Sequence, residues 1–285
     1  SWQILGAVLS QTGRKSEAVN IAQKSVALSP QSAHAHYNLG VILTELDRLE
    51  EAVESYNRSI DLKCDFTEAY RQLGSTLNRL GRLKEAEATY RKAIGLKPDF
   101  AQFHYNLGNI LRDLRQLEKA EECYKQARKL RSDYVEAHSY LGNTLHELGK
   151  LAEAEKSHKC AILLKPELAD IYYNLGNTLH ELDRLKDAEK SQRQAISLKS
   201  NFFAAHNNLG NTLKKMGRLG EAEANYRHSI ALNMEYGEAY NNLGLTLEGL
   251  GRSEEAKTSY RKAIALKPVY ASAYCNWGVI LQEAG

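Results

Sequence analysis

Prolines and cysteines are scarce, four of each in 285 residues, and no apolar run approaches the roughly 20 residues that a bilayer-spanning helix requires. The N-terminus lacks the basic-then-apolar pattern of a secretory signal. Cys64, Cys123, Cys160 and Cys275 fall without CxxC spacing, which excludes a zinc ribbon and gives no sign of a disulfide framework; free thiols suit a reducing, cytoplasmic setting. An excess of one charge sign is also missing. The 38 basic and 35 acidic residues are interspersed, so neither nucleic acid nor an anionic membrane is indicated as a partner. No glycine-rich phosphate loop, HExxH or GxSxG occurs. His146-Glu147 and His180-Glu181 each begin a zinc-protease motif, but neither has the second histidine four residues on. The expectation is a segment without catalytic residues, metal or cofactor.

The few prolines are informative by position. Stepping 34 residues from Gly176 lands on Gly142, Gly108, Gly74, Gly40 and Gly6 in one direction and on Gly210, Gly244 and Gly278 in the other; in that frame Pro30, Pro98, Pro166 and Pro268 all take position 32. A period of this size marks a solenoid, in which each unit buries its apolar face against its neighbours. Apolar or aromatic residues at positions 4, 7 and 11 with a small residue at 8, as in Tyr172, Leu175, Leu179 and Gly176, give one helical stripe, helix A. Gly13, Gly81, Gly149, Gly217, Gly251 and Gly285 follow at position 15, with Asp47 and Asp183 in their place elsewhere, to turn the chain with positive φ. Helix B carries Leu at 17 in most units, Ala at 20, often Tyr at 24, Ala or Ser at 27 and Leu at 30. Proline, which has no N–H to donate and disfavours helix at the residue before it, then belongs to the connection. Gly at 8 and Ala at 20 are expected to face each other so that the two backbones approach closely. The frame predicts an all-α single array over 1–285: eight nearly complete repeats starting at residues 1, 33, 67, 101, 135, 169, 203 and 237, with helix A of a ninth at 271–285.

Taken together, these positions resemble the tetratricopeptide repeat (TPR) over essentially the whole chain. Departures are His36, His104, His138 and His206 at position 4, read as packed residues standing in for an aromatic, and Ala22, His158 and Gln192 at position 24. The resemblance implies a right-handed superhelix of antiparallel helix pairs, with the A helices lining a concave surface.

The two helices differ in composition. Helix B has Glu at 21 and Lys or Arg at 25, as in Glu87/Arg91, Glu121/Lys125, Glu155/Lys159, Glu189/Arg193 and Glu223/Arg227, which reads as a solvated outer face. The outward stripe of helix A carries amides and tyrosines instead. Position 6 is Asn38, Gln72, Asn106, Tyr140, Asn174, Asn208, Asn242 and Asn276; position 9 is Asn109, Asn143, Asn177 and Asn211 in four consecutive repeats. Asparagine costs several tenths of a kcal/mol against alanine inside a helix, so its recurrence needs a cause. Either these amides bond to the neighbouring helix A and knit the array, or they form a ladder of donors and acceptors for a peptide backbone. Helices packed roughly 8–10 Å apart, set against about 3.3 Å per extended residue, bring one asparagine to about every third residue of a bound strand. Tyr37, Tyr105, Tyr173 and Tyr140 offer flat surface for ligand side chains. Arg71, Arg79 and Arg112, then Glu136, Glu147, Asp170 and Glu181, give a change from basic to acidic along the array.

The position-6 asparagines resemble the asparagine ladder in the TPR superhelix of O-linked N-acetylglucosamine transferases, with interruptions at Gln72, Tyr140 and Ile4; the resemblance implies that they hold the backbone of a protein substrate. The clamp of chaperone-adaptor TPR domains is absent, because position 2 has no Lys and position 5 is basic only at Arg71. The expectation is a non-catalytic protein-interaction scaffold that binds an extended or disordered peptide in its groove. Two alternatives are the substrate-recruiting segment of a larger enzyme, such as a glycosyltransferase, and a structural spacer. Both ends read as cut from a longer array. A last helix A carrying Trp277 and Leu281 is expected to leave apolar surface open to further repeats or to self-association.

Overall fold

The computed structural model describes residues 15–268 and 271–283, which form sixteen helices and no strand. Gly6, Gly13, Ile4 and Gly285, and the side chain of Leu281, lie outside the described residues. Helix B of the first repeat is α1 (Lys15–Leu28). Pairs of helix A and helix B follow: α2 (Ala33–Glu45) with α3 (Leu49–Leu62), α4 (Thr67–Arg79) with α5 (Leu83–Leu96), α6 (Ala101–Asp113) with α7 (Leu117–Leu130), and α8 (Val135–Glu147) with α9 (Leu151–Leu164). They continue with α10 (Ala169–Glu181) and α11 (Leu185–Leu198), α12 (Phe203–Lys215) and α13 (Leu219–Leu232), α14 (Gly237–Gly249) and α15 (Ser253–Leu266), and end with α16 (Ala271–Glu283). The chain forms two compact units, Ser1–Ala137 and His138–Gly285, and each is described by itself.

Within each unit the repeat frame becomes packing. Ala52, Ala86 and Ala120 in the first unit and Ala154, Ala188, Ala222 and Ala256 in the second are fully buried at position 20. The glycine at position 8 faces a different residue from the one expected. A Cβ built on Gly40, Gly74 or Gly108 comes within 2.5–2.7 Å of the ring of Tyr56, Tyr90 or Tyr124, the residue at position 24. Gly210 and Gly244 meet Tyr226 and Tyr260 in the same way, and Gly142 meets the imidazole of His158. The missing side chain at 8 makes room for a ring from helix B, and the small residue at 20 packs beside it.

The seven A helices from α2 to α14 end alike. Arg48 N–H donates to the Leu43 carbonyl at 2.9 Å and Asp47 N–H to Thr44 at 3.2 Å, the double bond of a Schellman cap, and the pattern recurs through Arg252 to Leu247 and Gly251 to Glu248. It requires positive φ at position 15. Gly81, Gly149, Gly217 and Gly251 supply this at 72–77°, and Asp47, Asp183 and also Arg115 adopt φ 60°. Asp tolerates that region through its short polar side chain; Arg115 takes it because the cap demands it. All four prolines lie in the turns or links after helix B, outside the helices.

Candidate functional site

The amides of helix A are mostly engaged. In the first unit, Asn106 donates to the Tyr90 hydroxyl at 3.3 Å and accepts from Gln102 at 3.0 Å, while Asn109 accepts the hydroxyl of Tyr124 at 2.7 Å. Asn38 is half-buried and carries no side-chain bond. In the second unit, Asn208 donates to Asn177 at 2.8 Å and to the Tyr173 hydroxyl at 3.2 Å, and Asn211 accepts from Tyr226 at 2.7 Å. Asn242 donates to Asn207 and Asn276 to Asn241, both at 3.1 Å. Asn143 and Asn174 are half-buried and have no side-chain bond.

Position 24 sorts the position-9 amides. A tyrosine there spans from helix B to the outward stripe of helix A: Tyr124 and Tyr226 reach position 9, Tyr56 reaches Thr44 at 3.0 Å and Tyr260 reaches Glu248 at 2.7 Å. His158 and Gln192 are too short to do so. Asn143 is left without the hydroxyl that Asn109 and Asn211 receive, and Asn177 pairs with Asn208 instead. His158 is 1 % exposed, and burial, with the nearby His146 adding to it, lowers its pKa to about 4, so the imidazole is neutral.

The tyrosines of the outward stripe pack within their units. Tyr37 stacks on Phe66 at 5.0 Å and Tyr105 on Tyr134 at 5.0 Å; in the second unit Tyr173 stacks on Phe202 at 4.9 Å. The partners are aromatics at position 34, each capped by a basic residue at position 31: Lys63 over Phe66, Arg131 over Tyr134 and Lys199 over Phe202. Neither position was singled out in the sequence, although both recur there. Of the position-4 histidines, His138 and His206 are buried, whereas His36 and His104 sit nearer the surface with Nε2 on the carbonyls of Pro30 and Pro98 at 3.1 and 2.8 Å.

Charges along the A helices are partly matched. Arg79 pairs with Asp47 at 2.8 Å, and Arg112 lies 3.9 Å from Asp113; Glu136 and Asp170 are exposed. His146 Nε2 approaches Glu181 Oε1 at 3.2 Å but is not aligned for a hydrogen bond. Among the described residues no group of three or more His, Cys, Asp or Glu is placed to hold a metal ion.

The outer face differs from the solvated stripe expected. The helix-B pairs form at 2.6–2.9 Å, but their glutamates are only 7–20 % exposed. Arginines at position 16, which periodicity alone did not single out, reach back to them: Arg184 to Glu155, Arg218 to Glu189 and Arg252 to Glu223, each at 2.7 Å. Burial pushes the Glu189 carboxyl up, while hydrogen bonds from Arg193 and Arg218 pull it down further, to a net value below the usual range. These charges tie successive repeats together. Trp277, expected to lie open, is half-buried against the cluster of Leu243, Leu247 and Tyr260, leaving Tyr274 exposed on α16.

With this geometry in hand, the comparisons are consistent. Models of the TPR repeat match residues 74–114, 108–149 and 142–183, and models of the tetratricopeptide repeat match 5–63, 169–202 and 201–268. No curated protein matches the sequence. Among solved structures, YrrB, described as a TPR protein with an unusual peptide-binding site, is 27% identical at a TM-score of 0.54, with 65% of this chain and 95% of YrrB covered. MamA is 28% identical at 0.53, over 58% and 96%. The Cut9–Hcn1 hetero-tetramer of the APC/C is similar in fold alone: 15% identical, TM-score 0.68, over 94% and 52%.

Proposed function

The chain belongs to the tetratricopeptide-repeat family, a family of protein-interaction scaffolds, and on that premise we propose that its A-helix face binds an extended, unstructured polypeptide. The observation that carries this reading is the pair Asn143 and Asn174. In consecutive repeats they are half-buried, sit inside helices where asparagine is costly, and spend none of their side-chain donors or acceptors on the fold. A peptide backbone presents the same donor-and-acceptor pair. YrrB, similar in sequence and fold, is described as having a peptide-binding site, which supports the ligand class. Asn38 is the corresponding free amide of the first unit. From 203 onward a second reading has its own observation: Asn208, Asn242 and Asn276 pair with the preceding repeat, so there the amides knit the array. No helix among the described residues is long and apolar enough to cross a membrane, and the free thiols, with Cys64 and Cys275 exposed, support placement in the reducing cytoplasm.

Binding to an array of unstructured peptides, read alongside thermal unfolding, separates the two roles. Asn143→Ala with Asn174→Ala should abolish binding while leaving the melting temperature unchanged or slightly raised, since alanine is the better helix former. Asn242→Ala removes a bonded amide and should lower stability by about 0.5–1.5 kcal/mol with little effect on binding. Full peptide binding by the double variant sinks the proposal.

A further inference from the structure

Beside Gln192 lies a cavity of about 220 Å³, bordered by His146, Asn177, His180, Glu181 and Asn208 from the outward stripes of α8, α10 and α12. Its origin is one substitution in the repeat. Where position 24 is tyrosine, the phenol fills this space, as Tyr226 does on its way to Asn211 at 2.7 Å. Gln192 instead lies over Gly176, its Cγ 2.7 Å from where a Cβ on that glycine would sit, and Asn177 bonds to Asn208. The volume is several times the roughly 30 Å³ that one water occupies in the liquid. Gln192 is 1 % exposed, and neither its Nε2 nor its Oε1 has a partner. A buried primary amide with donor and acceptor both unmet has lost its hydration and gained nothing in return; both atoms are also closed to solvent, so the side chain must turn about its own torsions to present them to the cavity.

Resting on the peptide-binding reading above, we propose that this cavity receives the carboxamide side chain of a Gln or Asn residue of the bound polypeptide, in a reciprocal two-bond pair with Gln192 once that side chain turns into the space. No Lys or Arg borders the cavity and Glu181 does, which disfavours a carboxylate. An ammonium satisfies Oε1 and leaves the Nε2 donor unmet, and an aliphatic side chain satisfies neither. A primary carboxamide answers both atoms at once. His180, whose Nδ1 lies 3.1 Å from Thr212 Oγ1, and Asn177, held by Asn208, form fixed polar walls around that pair.

The test begins without a peptide. In the ¹⁵N-labelled full chain, propionamide should shift the side-chain NH₂ resonances of Gln192, while propionate and ethanol leave them in place. An equal shift with propionate or ethanol, or no shift with propionamide, overturns the proposal whatever the fate of the groove reading. Gln192→Tyr restores the residue that other repeats carry and fills the cavity; Gln192→Leu removes the amide and keeps the space. Both should abolish propionamide perturbation of His146 and His180. A peptide containing Gln should then bind the parent at least about tenfold more tightly than its Glu or Leu counterpart, and both variants should level that preference while still binding peptide. An unchanged preference in the variants overturns the proposal. Loss of all peptide binding in the Asn143/Asn174 variant, with the propionamide shift retained, marks the groove and the cavity as separate components.

Discussion

The second unit contains two kinds of repeat in one frame. In the repeats from 203 onward and in α16 the A-helix face is closed: Tyr226 and Tyr260 span from helix B, Asn211 accepts a hydroxyl, and Asn242 and Asn276 bond to the buried Asn207 and Asn241. From 138 to 202 it is open: His158 and Gln192 occupy position 24, Asn143 and Asn174 are unbonded, and a cavity lies beside Gln192. Backbone and caps are the same in both. Position 24 of helix B therefore decides whether the position-9 amide of the same repeat receives a hydroxyl, as Asn211 does and Asn143 does not, while the position-6 amides Asn242 and Asn276 are bonded by the preceding helix A.

The largest effect expected from this difference is at the glycine under position 24. A Cβ on Gly210 comes 2.6 Å from the ring of Tyr226, which is fully buried and has no room to move, so Gly210→Ala should cost about 3 kcal/mol by overpacking. A Cβ on Gly176 comes 2.7 Å from Gln192 Cγ, but that flexible chain borders a cavity into which it can shift. Gly176→Ala should then cost less, about 1 kcal/mol, because the displaced Cγ carries the amide with it but has space to move and alanine is the better helix former. Urea unfolding of the two variants measures this directly, and equal losses would break the distinction between open and closed repeats.

A second, smaller effect depends on pH. The pKa of His158 lies near 4 in the folded chain, below the ordinary imidazole value of 6.5, because burial penalises its charged form. The unfolded chain takes up the proton first, so this contribution to stability is fully present above pH 6.5 and declines as pH falls towards 4, by about 2 kcal/mol at pH 5. His158→Tyr removes the titrating group and gives Asn143 the hydroxyl that Asn109 and Asn211 already have. Its stability advantage over the parent should grow from pH 7 to pH 5; an advantage constant with pH would show that His158 is not the group responsible. Burial also lowers His180 and His206, so the variant retains part of the acid response.

Much of the frame was legible in the sequence, and the partnerships were not. Periodicity assigned the glycines, prolines and buried alanines because each of those roles repeats with the period. It could not show that Gly at 8 answers position 24, since both recur equally well with Ala at 20 between them. Whether an amide is free depends on a residue 15, 31 or 35 positions away, as for Asn109, Asn177 and Asn242, and repeats that look alike differ there. The Asn207-Asn208 and Asn241-Asn242 doublets were the available signal for the closed repeats. Arg115 in a left-handed turn and the position-16 arginines were visible as residues, but their roles follow from the Schellman cap and from the neighbouring repeat's glutamate.

The smallest expected effect tests whether the difference stays on the groove side. On the outer face the network passes evenly through open and closed repeats: Arg184 to Glu155 in one, Arg252 to Glu223 in the other, both at 2.7 Å with glutamates 13 and 15 % exposed. In each case burial pushes the carboxyl up and hydrogen bonds from Lys159 and Arg184, or from Arg227 and Arg252, bring it below the ordinary value. Their contribution is thus present above about pH 4.5 and lost as pH falls through the folded values, a window below the one in which the His158 contribution begins to decline. Because the arginines are substantially exposed, Glu155→Gln and Glu223→Gln should each cost no more than about 1 kcal/mol, and less in high salt. The two losses should be equal. A clearly larger loss at one of them would mean that the outer face also distinguishes the repeats, and the difference would no longer be confined to the A-helix face.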